Sequence, residues 1–155
     1  MNRRMWFATF MVLFAAVAVC VAADDANLGT WKLDEAKSKI AAGLPKNTTV
    51  VYTAAGDSVK VTLDGVGADG KPTHSEWTGK YDGKDYPVSG DSSVDARSIK
   101  QINARTLEVT NKKDGKTTLV ARVEVAADGK SRTVTVTGTD AKGNKVTSTS
   151  VYNKQ

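Results

Sequence analysis

Past residue 23 this chain contains no cysteine, no methionine and no phenylalanine: the single cysteine and all three residues of each other kind lie upstream. The remainder therefore has no disulfide and no thiolate chemistry, even in a compartment that would permit disulfides. One histidine, His74, is present. A lone histidine cannot assemble a His-rich metal site, and beside a turn with Glu76 nearby it reads as an exposed strand residue. As a general base it would have no nucleophile marked by the sequence. There is no Gly-x-Ser-x-Gly, no His-Glu-x-x-His and no phosphate-binding loop. Each of those reactions needs its residues at fixed spacing, so enzyme activity is not expected, nor any cofactor or metal. The charges are interspersed rather than clustered, which suits a solvated exterior and argues against nucleic acid as a partner.

One long hydrophobic run exists, at the amino terminus. Arg3 and Arg4 precede an apolar stretch over residues 5–19, and Val21-Ala22-Ala23 ends it with small side chains. This is the pattern of a secretory signal peptide cleaved before Asp24. An uncleaved membrane anchor is the alternative, because the run approaches spanning length. Cys20 as a lipidation site meets Val19 where a small residue is wanted, and the paired arginines precede a segment too apolar for twin-arginine export. The expectation is a signal peptide over 1–23, one domain over 24–155, and a periplasmic or secreted product. Arg3 and Arg4 leave with the leader, so 20 basic residues face 17 acidic ones and the net charge falls from +5 to +3.

What the remainder does have is turns. Asp-Gly-Lys occurs at 69–71, 82–84, 114–116 and 128–130, each time between runs rich in Val, Thr and Leu. Asp-Gly is a strong hairpin signal, since a type I′ turn needs positive φ. These repeats lack the dense acidic spacing of a calcium loop. Alternating segments place strands near 28–33, 48–53, 58–63, 72–81, 84–88, 93–102, 106–111, 116–126, 132–137 and 145–153. Residues 34–46 break the alternation, and the run Glu35-Ala36-Lys37 before Gly43 and Pro45 suggests a short helix or loop. About ten short strands at regular spacing make an all-β protein, an antiparallel up-and-down meander. No helical pattern is long enough to cover a sheet edge, so closure into a barrel is expected.

Gly29-Thr30-Trp31-Lys32-Leu33 resembles the Gly-x-Trp opening of lipocalins and the first strand of fatty-acid-binding proteins. The run from Val146 to Tyr152 looks like the closing strand of the latter. Tyr81-Asp82-Gly83-Lys84-Asp85-Tyr86-Pro87 is similar to a hairpin of bacterial secreted lipocalin-like (calycin) proteins. The resemblance implies a lipocalin-like barrel and an interior ligand. It also implies an Arg-x-Tyr carboxylate clamp on the last strand, but here Ser150 holds the arginine position and only Tyr152 matches. The second inward arginine of that family would fall near Ala121, while Arg122 has outward parity. Residues 34–46 are too short for a helix-turn-helix lid.

Candidate ligand-binding residues are Trp31, Tyr52, Trp77, Tyr86, Arg97 and Tyr152. Trp31 is expected to plug one end of the barrel, with ligand stacking as its second reading. Tyr52 and Tyr152 could donate to a polar head group. Arg97 is ambiguous in phase: Ile99 shares its face, Val94 and Ile102 do not. An inward arginine would demand a carboxylate or an anionic ligand. Ala121, Ser148 and Ser150 are small inward residues, which favours a hollow interior. The expected function is binding of a small, mainly apolar ligand inside the barrel. The alternative is a filled barrel acting as a protein-interaction or envelope structural module, or as an inhibitor of a secreted enzyme, with the 81–87 segment as the partner surface.

Overall fold

The structure, a computed structural model, describes residues 25–139 and 143–155. The expected export segment, with Cys20 and the paired arginines, lies outside the described residues. Ten strands follow in sequence: β1 (Gly29–Lys39), β2 (Lys46–Ala55), β3 (Ser58–Val66), β4 (Pro72–Gly79), β5 (Asp82–Ser89), β6 (Ala96–Asn103), β7 (Thr106–Lys113), β8 (Lys116–Val125), β9 (Ser131–Thr139) and β10 (Lys145–Lys154). Every pairing is antiparallel between chain neighbours, and β1 also pairs β10, so the sheet closes. The expected meander and its closure are both observed, and no sheet edge remains.

Inward residues follow the alternation of each strand. Leu119, Ala121, Val123 and Val125 point in from β8, and Arg122 stands outside with Glu124 at 3.1 Å. One end of the barrel carries the turns after β2, β4, β6 and β8 together with both chain ends of the domain. The other end carries the connections after β1, β3, β5, β7 and β9. The first end is closed. Trp31, wholly buried, donates from its indole to the Asn27 carbonyl at 2.7 Å, and Asn27 is itself buried beneath it.

The four Asp-Gly-Lys copies do not form one kind of turn. Only Asp114 has positive φ (50°), so Asp114-Gly115 alone has the type I′ signature between β7 and β8. At Asp69, Asp82 and Asp128 the carboxylate instead accepts the backbone N–H of the lysine two residues on, at 3.0–3.1 Å. The intervening glycine takes the left-handed conformation there, as in the longer hairpin loops built on a type I turn. At 82–84 the motif is not a turn at all. The chain reverses at Lys80 and Tyr81, and Asp82-Gly83 sits inside β5 where its register against β6 shifts. The same dipeptide that turns a chain also bulges a strand.

The short helix or loop expected after Leu33 is a second correction. β1 runs on to Lys39, with an irregularity against β10 between Asp34 and Lys39. Ser38 donates to the Asp34 carbonyl at 2.6 Å and accepts from the Val151 N–H at 2.9 Å. The helix-forming tripeptide is held extended because β10 offers a ladder to join, and tertiary pairing outweighs a propensity of tenths of a kcal/mol per residue. Residues 40–45 then cross to β2 without a helix.

The two turn chemistries separate by mutation. Asp114→Gly relieves a non-glycine left-handed residue and is expected to leave stability unchanged or slightly raised. Asp128→Gly loses a side-chain cap and is expected to cost about 1 kcal/mol. Urea midpoints of the two variants check this; equal losses would overturn the turn assignment.

Candidate functional site

The barrel is hollow. A cavity of about 560 Å³ runs through it, walled by Val50, Val61, Leu63, Val109, Leu119, Val123, Val134 and other apolar side chains. It reaches the open end, where Ile40, Leu44, Pro45, Ala68 and Val94 line it together with Asp69, Asp91 and Ser93. Small side chains make the room: Ala121 on β8 and Ser148 and Ser150 on β10 all face it. Ser148 also accepts the Ala41 N–H at 2.7 Å, which ties the β1–β2 connection over β10.

Two arginines line this cavity, and both are buried. Arg132, on β9 near the closed end, is 2% exposed. Its guanidinium carbon stands 4.7 Å from the Trp31 ring centroid, 5.0 Å from Tyr52 and 5.1 Å from Tyr152. These rings come from β1, β2 and β10, and the Arg132–Tyr152 pair is directly cross-strand. Such ring faces attract a cation, more so where water is absent. The guanidinium hydrogen-bonds the Tyr52 side chain, but Nε and Nη1 of Arg132 are buried with no hydrogen-bond partner. Burial pushes its pKa down, opposed by the surrounding tyrosines.

Arg97, on β6, is 5% exposed. Its guanidinium makes one hydrogen bond, from Nε to the Asn111 side-chain oxygen at 2.7 Å, across the β6–β7 ladder where the two residues pair. Burial again lowers its pKa, with Tyr52 and Asp91 acting against it. Among the described residues no carboxylate forms an ion pair with either arginine.

The tyrosines differ in their duties. Tyr152 lines the cavity and donates to the Asn47 carbonyl at 2.9 Å. Tyr81 lies at the closed end and donates to Asp25 at 2.9 Å, and burial raises its pKa far above the ordinary phenol value. Tyr86 packs edge-on against Trp77, centroids 5.8 Å apart, and donates to Asp82 at 3.0 Å.

Of the residues singled out in the sequence, Tyr52, Arg97 and Tyr152 line the cavity together. Trp31 lies at its closed end against Arg132. Trp77 and Tyr86 are not on the cavity wall; Trp77 is buried with its indole donating to the Arg97 carbonyl at 2.9 Å. The 81–87 segment is mostly strand rather than loop. His74 is exposed on the exterior, 2.7 Å from Asp64. Sequence reasoning missed Arg132 and Asn111. The signal for Arg132 was its parity with Val134 and Val136, two and four residues on; its place beside a polar turn hid it. Asn111 could be found only through its cross-strand partner.

No protein-family model matches the sequence, and no curated protein gives a significant match. Among solved structures, the chain is similar to a Schistosoma mansoni fatty-acid-binding protein in complex with arachidonic acid. The TM-score is 0.54 at 22% identity, covering 85% of this chain and 98% of that one. The likeness shows the fold, a calycin-like antiparallel barrel.

Buried phenols make the protein's alkaline behaviour a probe of this site. Burial raises the pKa of Tyr81 and Tyr152 above the ordinary value of 10.0. An unfolded chain releases these protons first, so the stability they contribute is whole below pH 10 and is lost as pH rises beyond it. Phenolate absorbance from these two residues is expected to appear only as the far-ultraviolet circular dichroism of the barrel collapses. Early ionisation with the fold intact would contradict their burial.

Proposed function

We propose that this protein is exported and binds a small, mainly apolar ligand inside its barrel, with an acidic group of that ligand held at the closed end. The observation that carries the reading is Arg132: a guanidinium at the closed end of an apolar cavity, buried, with two unsatisfied donor nitrogens and, among the described residues, no carboxylate ion pair. A buried cation left alone is costly, and an incoming carboxylate would both pair it and fill its donors. The apolar walls would take the tail. Support from likeness is limited to the barrel neighbour, whose structure holds arachidonic acid, itself a long apolar chain with a carboxylate. Export rests on the pattern of residues 1–23.

The experiment is uptake of oleate by delipidated protein, followed by displacement of a fluorescent fatty-acid analogue. One molecule per barrel is expected, with the methyl ester at least about tenfold weaker for want of a charge-assisted pair. Ala121→Phe, which fills the cavity from β8, should abolish uptake while circular dichroism stays that of the barrel. Arg132→Met should hold or gain stability, since replacing an unpaired buried charge by a side chain of similar length is often neutral or stabilising. It should nevertheless lose the preference for acid over ester. No uptake by wild-type protein, or uptake indifferent to both substitutions, would overturn the proposal.

A further inference from the structure

Arg132 accounts for one acidic group; Arg97 remains. It lines the same cavity, is almost as deeply buried, and among the described residues its guanidinium donates to the neutral side chain of Asn111. A plain fatty acid has nothing to offer it. The two arginines also occupy different levels of the barrel. Arg132 opens its strand at the closed end, whereas Arg97 opens its strand at the mouth, where Asp91 acts on it; Tyr52 acts on both guanidinium groups. Asn111 orients the Arg97 guanidinium through Nε without neutralising it. An orienting amide beside a buried cation that forms no carboxylate ion pair among the described residues leaves a place for a second oxygen-bearing group.

We propose that the ligand carries two separated acidic groups, one held at Arg132 and the other by Arg97 nearer the mouth, with an apolar chain between them. The inference rests on the interior-binding reading above and specifies the class of ligand: a long-chain α,ω-dicarboxylate rather than a monocarboxylate. The apolar walls of the shared cavity, Val50, Val61, Val123 and Val134 among them, suit a methylene chain. With both acids bound, each buried cation has its counter-charge and neither end of the ligand is left unpaired.

The test compares hexadecanoate with a series of dicarboxylates from decanedioate to hexadecanedioate, by calorimetry on delipidated protein. One diacid in the series is expected to bind about ten- to a hundredfold more tightly than the monoacid of equal length, the worth of one added charge-assisted contact. Arg97→Leu should erase that preference while leaving monoacid affinity within about twofold, because the first carboxylate sits elsewhere. Should Arg97→Leu fail to fold, Asn111→Asp serves instead: it supplies Arg97 with an internal carboxylate, keeps side-chain volume, and should likewise remove the preference. Equal affinity for mono- and diacids in the wild type would overturn the proposal. So would a loss of both affinities together in Arg97→Leu, which would place both arginines on one head group. Absence of binding by any acid would fail the underlying reading instead, and is distinguishable on that account.

Discussion

The stacking of Arg132 on three aromatic rings is the contact around which the barrel closes. Trp31 comes from the first strand, Tyr52 from the second and Tyr152 from the last, so the cation gathers the two ends of the domain at the seam where a meander would otherwise stay open. Burying a guanidinium costs several kcal/mol. Three desolvated ring contacts at roughly 2 kcal/mol each are of the same order, so the arrangement is affordable without an acid. It is not satisfied, because ring faces bind the charge and not the in-plane N–H groups. Structural closure and a capacity to take an anion thus come from the same side chain.

The rest of the wall is uneven, and the unevenness has a cause. β4 and β5 pair through two residues only, Glu76 with Ser89 and Trp77 with Val88. Gly79 explains part of this: a Cβ there would lie 2.6 Å from both Trp77 and Tyr86, so the glycine makes room for two rings that fill the space beside the short ladder. Val88 donates its backbone N–H to the Asp95 carbonyl in the loop before β6. Fewer ladder bonds make local opening cheapest here. The rings nevertheless keep the seam apolar, and Trp77 couples it to the binding wall through the Arg97 carbonyl.

Turn residues show how one sequence signal serves several geometries. Asp-Gly-Lys was read as a hairpin turn at all four sites, and a turn forms at three of them; at 82–84 the motif lies inside β5. Whether it made a type I′ turn, a capped longer loop or an in-strand bulge depended on where the neighbouring strands needed the next residue to point. The extension of β1 past Asp34 has the same origin. Glu35-Ala36-Lys37 favours a helix locally, but β10 lies alongside with groups to bond, and Ser38 bridges the irregular stretch.

For the site, alternation alone was enough to point Ala121, Ser148, Ser150 and Tyr152 inward and Arg122 outward, because side-chain direction in a strand has period two. It left Arg97 undecided, since the residues around it straddle a loop and a strand whose boundary the sequence does not mark. Arg132 had the right parity and was passed over, because a charged residue after a turn ordinarily faces water. The strand count, most of the turn positions and the order of the meander were determined by local pattern: each depends on residues within a few positions of one another. The burial of two cations with no carboxylate ion pair among the described residues, the ring cage, and the orienting of Arg97 by Asn111 were decided only by closure. They depend on strands distant in sequence meeting across a cavity, and no local pattern records which side chains will face each other there.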